Sequence, residues 1–216
     1  TSKHYQGRMW RMLTRKMKDS GIEWIGEIPE DWDVVQVKHL FEIGRGRVIS
    51  KEELKFDSQT GYPVYSSQTK NDGVLGFIGT YDFDQPQLTW TTDGANAGTV
   101  FLRKGKYNCT NVCGTLKLKS DIQDKISLDY VYHALYVGAP YYKRKDTNGY
   151  KIMNNEMAVI KISLPSIEEQ HQIVSYLDEQ TTRIDKLIED KTKVIEELED
   201  YKKSLIYEYV TGKKEM

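Results

Sequence analysis

The stretch "SIEEQHQIVSYLDEQTTRIDKLIEDKTKVIEELEDYKKSLIYEYVTG" (residues 166–212) determines the fold. Its apolar residues recur in alternating steps of three and four, which is the heptad register of a coiled coil. Ser166 is a good N-cap, Glu169 completes a capping box with it, and neither proline nor glycine follows until Gly212. The pattern predicts one helix of about 43 residues, ~65 Å long.

The apolar stripe of this helix needs a partner. A globular domain of ~150 residues is too small to cover it, so we expect a helix from a second copy or from another protein rather than a helix folded back on its own domain. Polar residues interrupt the seam at Thr181, Lys191 and Lys202, and such residues fix register or orientation. The predicted dimerisation residues are the apolar seam positions Val174, Leu177, Ile184, Ile188, Ile195, Leu198 and Leu205.

Residues 17–165 predict a sheet-rich globular domain. Short segments with strand patterns follow one another at close intervals, separated by glycine turns. They cover residues 32–44, 62–67, 73–79, 87–92, 99–103, 107–113 and 115–119, the first of which begins either as a strand or as a short helix. Together with the long helix they predict an α+β fold: a compact sheet-rich domain followed by one long C-terminal coiled-coil helix, residues 166–212.

Three local predictions refine this pattern. The stretch "TTDGANAGTV" (91–100) is expected to join two strands as a hairpin, with Asp93-Gly94 as a tight-turn dipeptide and Ala95 to Gly98 completing the turn. Residues 127–139 repeat apolar side chains at helical spacing and predict a helix. Residues 45–54 predict a short helix capped by Ser50, with Glu53 three positions on.

Charge is unevenly distributed along the chain. The net charge is −1, yet thirteen acidic and only eight basic residues lie from Ser166 onward. Residues 1–16 are basic and are interpreted as a leader, disordered or left from cloning, with a basic arm onto DNA as the alternative. Because the body between is near neutral, phosphate contacts must come from local clusters.

The sequence also indicates the cellular compartment of the protein. No run reaches the ~18–20 apolar residues of a membrane span, and the start has no apolar core like that of a signal peptide, so we expect a cytoplasmic protein. Cys109 and Cys113 are the only cysteines. On one strand their Cα atoms would lie roughly 13 Å apart, too far for a disulfide, and we expect reduced thiols.

Motifs of nucleotide enzymes are missing. Gly94 and Gly98 lack the Gly-Lys-Ser/Thr of a phosphate loop, and "GRGRVI" (44–49) lacks the third glycine of a dinucleotide fingerprint. A Gly-x-Ser-x-Gly elbow is also missing. These absences favour a non-catalytic protein without a cofactor or metal of its own over a nucleotide-dependent enzyme.

Several segments in order resemble one family, the DNA-specificity subunits of type I restriction-modification enzymes. They are "GIEWIGEIPEDWDV", "EIGRGRVIS" (42–50), "YPVYSSQTKNDGVLGFI" (62–78), "TDGANAGTVF" (92–101), "ISLPSIEEQHQIVSYLDEQTTRIDKLI" (162–188) and "YKKSLIYEYVTGK" (201–213). The resemblance implies a target-recognition domain that reads half of a split site on double-stranded DNA. It also implies a conserved helix that acts as a ruler, modification subunits that transfer methyl groups from S-adenosylmethionine, and restriction subunits that translocate and cut.

This chain resembles about half of such a subunit, with one recognition domain and one helix. We expect two copies to pair through their helices into a homodimer that reads an inverted repeat. The rival interpretations are a fragment of a longer subunit and a half that pairs with a different half. From another functional class, a coiled-coil adaptor whose head binds protein remains the alternative.

Candidate DNA-reading residues are chosen by chemistry, since amides, hydroxyls and basic side chains suit base edges and phosphates. Gln68 and Asn71 suit adenine, whereas Lys70 and Arg144 suit guanine or phosphate. The full set is Arg45, Arg47, Ser66, Ser67, Gln68, Lys70, Asn71, Tyr142, Lys143, Arg144, Lys145 and Lys151. For each cluster the alternative is a solvated surface loop.

Overall fold

The computed structural model describes residues 15–147 and 149–215. The strands in this part are β1 (Met17–Asp19), β2 (Glu27–Pro29), β3 (Asp33–Gln36), β4 (Phe41–Arg45), β5 (Tyr62–Tyr65), β6 (Val74–Ile78), β7 (Gln87–Thr91), β8 (Asp93–Gly94), β9 (Val100–Arg103), β10 (Asn108–Cys109), β11 (Cys113–Leu118), β12 (Arg144–Asp146), β13 (Gly149–Lys151) and β14 (Lys161–Leu164). The α-helices are α1 (Val37–Leu40), α2 (Leu128–Gly138), α3 (Asn154–Val159) and α4 (Ile167–Val210). The α+β class and the long C-terminal helix are therefore confirmed. We call the part from β1 to β14 the head.

The core of the head is an antiparallel sheet of four strands in the order β4-β11-β7-β9. Trp90 lies fully buried at its centre, and its indole Nε1 donates to the carbonyl of Ile152 at 2.9 Å. Gly114 on the neighbouring strand makes room for the ring, since a Cβ there would lie 2.2 Å from it. Glycine is required at position 114, because only a residue without a side chain lets the Trp90 ring approach the backbone so closely.

The predicted hairpin over 91–100 is confirmed, but its turn is shorter than predicted. Strands β7 and β9 pair in the register Trp90↔Val100, and the chain reverses at 95–98, where the Gly98 amide donates to the Thr91 carbonyl at 2.8 Å. Asp93 and Gly94 do not form the tight turn. They form β8, which pairs with β13, so tertiary pairing overrides the local turn preference.

The second sheet has the order β10-β5-β6, with β10 parallel to β5. Cys109 and Cys113 do not share one strand as predicted. Cys109 ends β10 and Cys113 begins β11, because the Cys113 amide closes a turn onto the Thr110 carbonyl at 3.0 Å. Both thiols are free and buried.

The predicted helix over 45–54 is wrong. The Glu53 carboxylate accepts a hydrogen bond from the Ser50 amide at 2.9 Å, as in a capping box, but residues 51–53 form only a turn. Phe56 then pairs with Phe77 in an isolated bridge. This pairing draws the chain into an extended path before a helix can propagate.

The first turn of α4 is bound to the head. The Ser166 hydroxyl accepts from the Glu169 amide at 3.3 Å, as the capping pattern predicts. The Glu169 carboxylate does not return to Ser166. It accepts from Trp32 Nε1 at 3.0 Å and from Arg15 Nη1 at 2.5 Å.

The chain divides into two compact units, the first ending at His171 and the second beginning at Gln172. The second unit is the remainder of α4 and the residues after it. Residues 1–14 of the predicted leader lie outside the described residues, whereas Arg15 pairs with Asp31 and Glu169. Within residues 15–147 and 149–215, no helix is both long and apolar enough to cross a membrane.

Candidate nucleic-acid interface

The loop of residues 93–98 contacts two other loops of the head, residues 66–73 and the described residues 144–147 and 149–151. We call these three loops together the three-loop surface. Strand β13 pairs with β8 through Tyr150↔Gly94 and Lys151↔Asp93, which joins the third loop to the second. The Asn96 side-chain amide donates to the Thr69 hydroxyl at 3.1 Å, which joins the second loop to the first. The predicted DNA-reading residues from Ser66 to Asn71 and those of the third loop thus lie on loops that contact the same middle loop.

Loop 66–73 is held by its base and exposes its tip. The Ser66 amide donates to the Gly73 carbonyl at 3.0 Å, and the Gln68 side-chain amide donates to the Val74 carbonyl. Ser66, Ser67 and Gln68 are half-buried, whereas Lys70 and Asn71 are exposed. Gln68, which is predicted to contact adenine, therefore uses its side-chain amide for a hydrogen bond within the loop. The exposed residues at the tip are better placed to contact a ligand.

Loop 144–151 carries basic residues that mostly have partners. Arg144 Nε pairs with Glu156 at 2.7 Å, and the Lys143 ammonium lies 4.6 Å from the centre of the Tyr150 ring. Lys151 pairs with Asp146 at 2.5 Å, and this hydrogen bond raises the pKa of Lys151 and lowers that of Asp146. Arg144 and Lys151 thus have their charge partly offset before any nucleic acid arrives.

Tyr142, Arg45 at the end of β4, and Arg47 after it already make contacts within the head. The Tyr142 hydroxyl accepts from the Lys161 amide at 3.5 Å. Arg45 is exposed, and one guanidinium nitrogen contacts the Met153 sulfur at 3.2 Å. Arg47 is held by Glu53 at 2.9 Å and Asp82 at 3.1 Å, and its hydrogen bond to Glu53 raises its pKa.

Two lysines on the three-loop surface keep their charge available. Lys70 and Lys145 are exposed. Neither side chain has a hydrogen bond or ion pair within the described ranges 15–147 and 149–215. An exposed, unpaired lysine is the side chain that most readily neutralises a phosphate.

Arg103 is the residue of this region that sequence reasoning missed. It ends β9, its side chain is 2% exposed, and its Nη1 donates to Asp72 in the first loop at 2.7 Å. The sequence offers no signal for it, because "TVFLR" reads as an ordinary strand with a polar end and its partner lies 31 positions away.

The described residues contain no group of three or more histidine, cysteine or carboxylate side chains able to hold a metal ion.

The predicted seam residues of α4 leave an apolar stripe open to solvent in the isolated chain. Ile184, Ile188, Ile195 and Leu198 are 53–60% exposed. Val174, Leu177 and Leu205 are half-buried. Large apolar residues repeated along one face of a helix mark a surface that a partner covers.

Comparison with known proteins places these features in one family. The sequence model described as the type I restriction modification DNA specificity domain matches residues 29–197. The MpnII type I restriction enzyme specificity subunit of Mycoplasma pneumoniae is 38% identical over 177 residues, which are 82% of this chain and 51% of that protein.

Solved structures share the fold. The S subunit of a type I restriction-modification system from M. genitalium aligns with a TM-score of 0.59 at 19% identity, over 72% of this chain and 40% of that one. A chain from a study of type I system assembly and conformational transition aligns with a TM-score of 0.69 at 15% identity, over 95% of this chain and 51% of that one. This chain therefore spans about half the length of these relatives, and it belongs to the family of type I restriction-modification DNA specificity domains.

Proposed function

We propose that the head reads one half of a bipartite target on double-stranded DNA through the three-loop surface. One observation carries this: the second loop contacts both the first and the third. Asn71 and Lys70 on the first loop and Lys145 on the third are exposed. Amide and ammonium groups in one patch provide both requirements of specific binding, base-edge hydrogen bonds and phosphate contacts.

We further propose that the exposed stripe of α4 pairs antiparallel with the same stripe of a second copy. The homodimer then carries two heads related by a two-fold axis, so its target is an inverted repeat with a spacer set by the helices. Modification subunits dock on this scaffold and supply methyl transfer, and restriction subunits supply translocation and cleavage. The chain itself acts as a non-catalytic specificity subunit.

A second candidate function is a coiled-coil adaptor whose head binds protein. It is favoured by exposed apolar side chains around the end of α2, where Tyr136 is 58%, Val137 52% and Tyr141 65% exposed. The two functions differ in their response to salt, because binding to DNA releases condensed counterions and an apolar protein contact does not.

Replacing both Lys70 and Lys145 with alanine is expected to weaken duplex binding and flatten its salt dependence. Each lost phosphate contact lowers the slope of log K against log salt by about 0.9. The double variant should therefore lose a slope of about 2 for each chain bound. Fluorescence anisotropy with a labelled duplex of mixed sequence, at salt concentrations from low to physiological, measures both quantities.

The matched control replaces Lys51 and Lys55, which are exposed lysines outside the three loops. This control changes the net charge by the same amount and should leave the slope unaltered. An equal loss of slope in both variants would mean that the overall field, and not the three-loop surface, binds DNA. Salt-independent binding in the unaltered chain would favour the adaptor function.

A further inference from the structure

Arg103 places a positive charge inside the head. Its guanidinium carbon lies 3.6 Å from the centre of the Tyr65 ring and 4.1 Å from that of Phe101, so the planar group is stacked between two aromatic faces. Its Nε contacts the Thr89 hydroxyl at 3.4 Å. A buried cation is unfavourable unless it is paired, so the remaining nitrogen atoms need an acceptor.

The acceptor comes from the tip of the first loop. Asp72 takes a hydrogen bond from Arg103 Nη1 at 2.7 Å while 72% of its own side chain stays exposed. The buried charge is thus satisfied by a residue at the surface. The Arg103–Asp72 pair connects the central sheet to the turn Lys70–Gly73, which we call the reading turn.

The backbone of the reading turn is unusual. Asn71 and Asp72 have φ values of 49° and 54°, and Gly73 follows at 80°, so three successive residues are left-handed. Asparagine and aspartate tolerate this conformation better than other non-glycine residues, yet two of them in succession still benefit from contacts that hold the turn. A Cβ at Gly73 would lie 3.0 Å from Arg103 Nη2, so the turn packs directly on the guanidinium.

We propose that Arg103 is a positioning residue that holds the reading turn in its left-handed conformation and so fixes Asn71 for base recognition. This rests on the proposed function. A turn that is ordered before binding presents its side chains in one geometry, whereas a relaxed turn must be ordered at the moment of binding and discriminates less between sequences.

Arginine is specifically suited to this task. Its planar guanidinium stacks on two rings and still presents hydrogen-bond donors along its edge. The lysine ammonium has no planar face to stack and no pair of parallel donors. Arg103→Lys therefore keeps the positive charge but removes the stacking on the two rings and the guanidinium hydrogen bonds. Asp72→Asn keeps the size of the side chain and an amide oxygen that can still accept from Arg103, and it removes only the negative charge of the acceptor.

The test has one readout in the free protein and one on DNA. Amide hydrogen exchange reports on the turn without any ligand, because the Ser66 amide bonds to the Gly73 carbonyl and the Val74 amide to the Asn71 carbonyl. In Arg103→Lys and in Asp72→Asn these two amides should exchange about tenfold faster, while amides of β7 and β11 keep their rates. Asp129→Asn, which removes the exposed Lys104–Asp129 pair, is the matched control and should change neither amide.

The second readout is the ratio of two affinities for DNA. One is for a duplex that contains the motif methylated by the assembled complex, and the other is for a duplex of unrelated sequence. The ratio should fall about tenfold in both variants, which is the contribution of one direct base contact, while the salt slope on unrelated duplex stays constant. Unchanged exchange at Ser66 and Val74 would overturn the positioning role whether or not the chain binds DNA. Faster exchange with intact discrimination would overturn the link to base recognition. Failure of the unaltered chain to bind duplex would refute the proposed function and leave the exchange result to decide the role of Arg103 alone.

Discussion

Replacing Ile188 and Ile195 with glutamate is expected to break the proposed homodimer into monomers while leaving the head folded. Both side chains lie in the middle of the α4 seam and are 58% and 57% exposed in the isolated chain. Burying the exposed half of an isoleucine contributes ~1–1.5 kcal/mol, so the four side chains of a dimer contribute ~4–6 kcal/mol. Their loss alone weakens association by a factor between about a thousand and about ten thousand, and buried carboxylates weaken it further.

Sedimentation velocity at micromolar concentration, with and without duplex, measures this change. The control places the same two glutamates at Lys186 and Lys193, which occupy the outward face of the heptad. That control alters the net charge more than the test variant does, so a control that still dimerises assigns the effect to the seam. A monomeric parent chain, or a test variant that still dimerises, would rule out pairing through this stripe.

Gln170→Glu is expected to destabilise the head strongly although it changes one atom of the side chain. Gln170 is fully buried in the first turn of α4. Its Oε1 accepts from the Ser127 amide at 2.8 Å, and its Nε2 donates to the carbonyls of Pro165 at 2.9 Å and Lys125 at 3.1 Å. A carboxylate would keep the acceptor, lose both donors and set a charged oxygen against two carbonyls. We expect a loss of about 3–5 kcal/mol in the free energy of unfolding.

Urea denaturation followed by tryptophan fluorescence measures this loss. It should shrink at about pH 4, where the introduced carboxyl is protonated and donates one hydrogen bond. Gln172→Glu makes the same chemical change at an exposed position two residues on and should alter stability by less than about 0.5 kcal/mol. A loss below about 1 kcal/mol in Gln170→Glu would mean that this hydrogen-bond cluster does not hold α4 to the head.

The long helix was predictable because its signal is periodic. Forty-four residues from Ile167 to Val210 repeat one pattern, and each repeat adds support for the same interpretation. Short elements have no such redundancy. Ser50 and Glu53 carry the pattern of a helix start, yet the bridge between Phe56 and Phe77 decides the path of the chain.

The candidate site was predictable in composition but not in arrangement. Sequence chemistry named Lys70 and Lys145 together with Arg144 and Lys151, and nothing in the chain order reveals which of these have acidic partners. The structure separates them, because Glu156 and Asp146 meet Arg144 and Lys151 only after folding. Long-range contacts of this kind determine which charges are available for a ligand.

Mapping of methylated bases in cells that contain this chain and its modification subunits tests the central proposal most directly. Two identical heads on paired helices predict one new methylated motif, an inverted repeat of two half-sites with a constant spacer. That motif should disappear when Ile188 and Ile195 are replaced with glutamate. An assembled complex that methylates no new motif, or one that methylates a single unsplit sequence, would contradict the proposal.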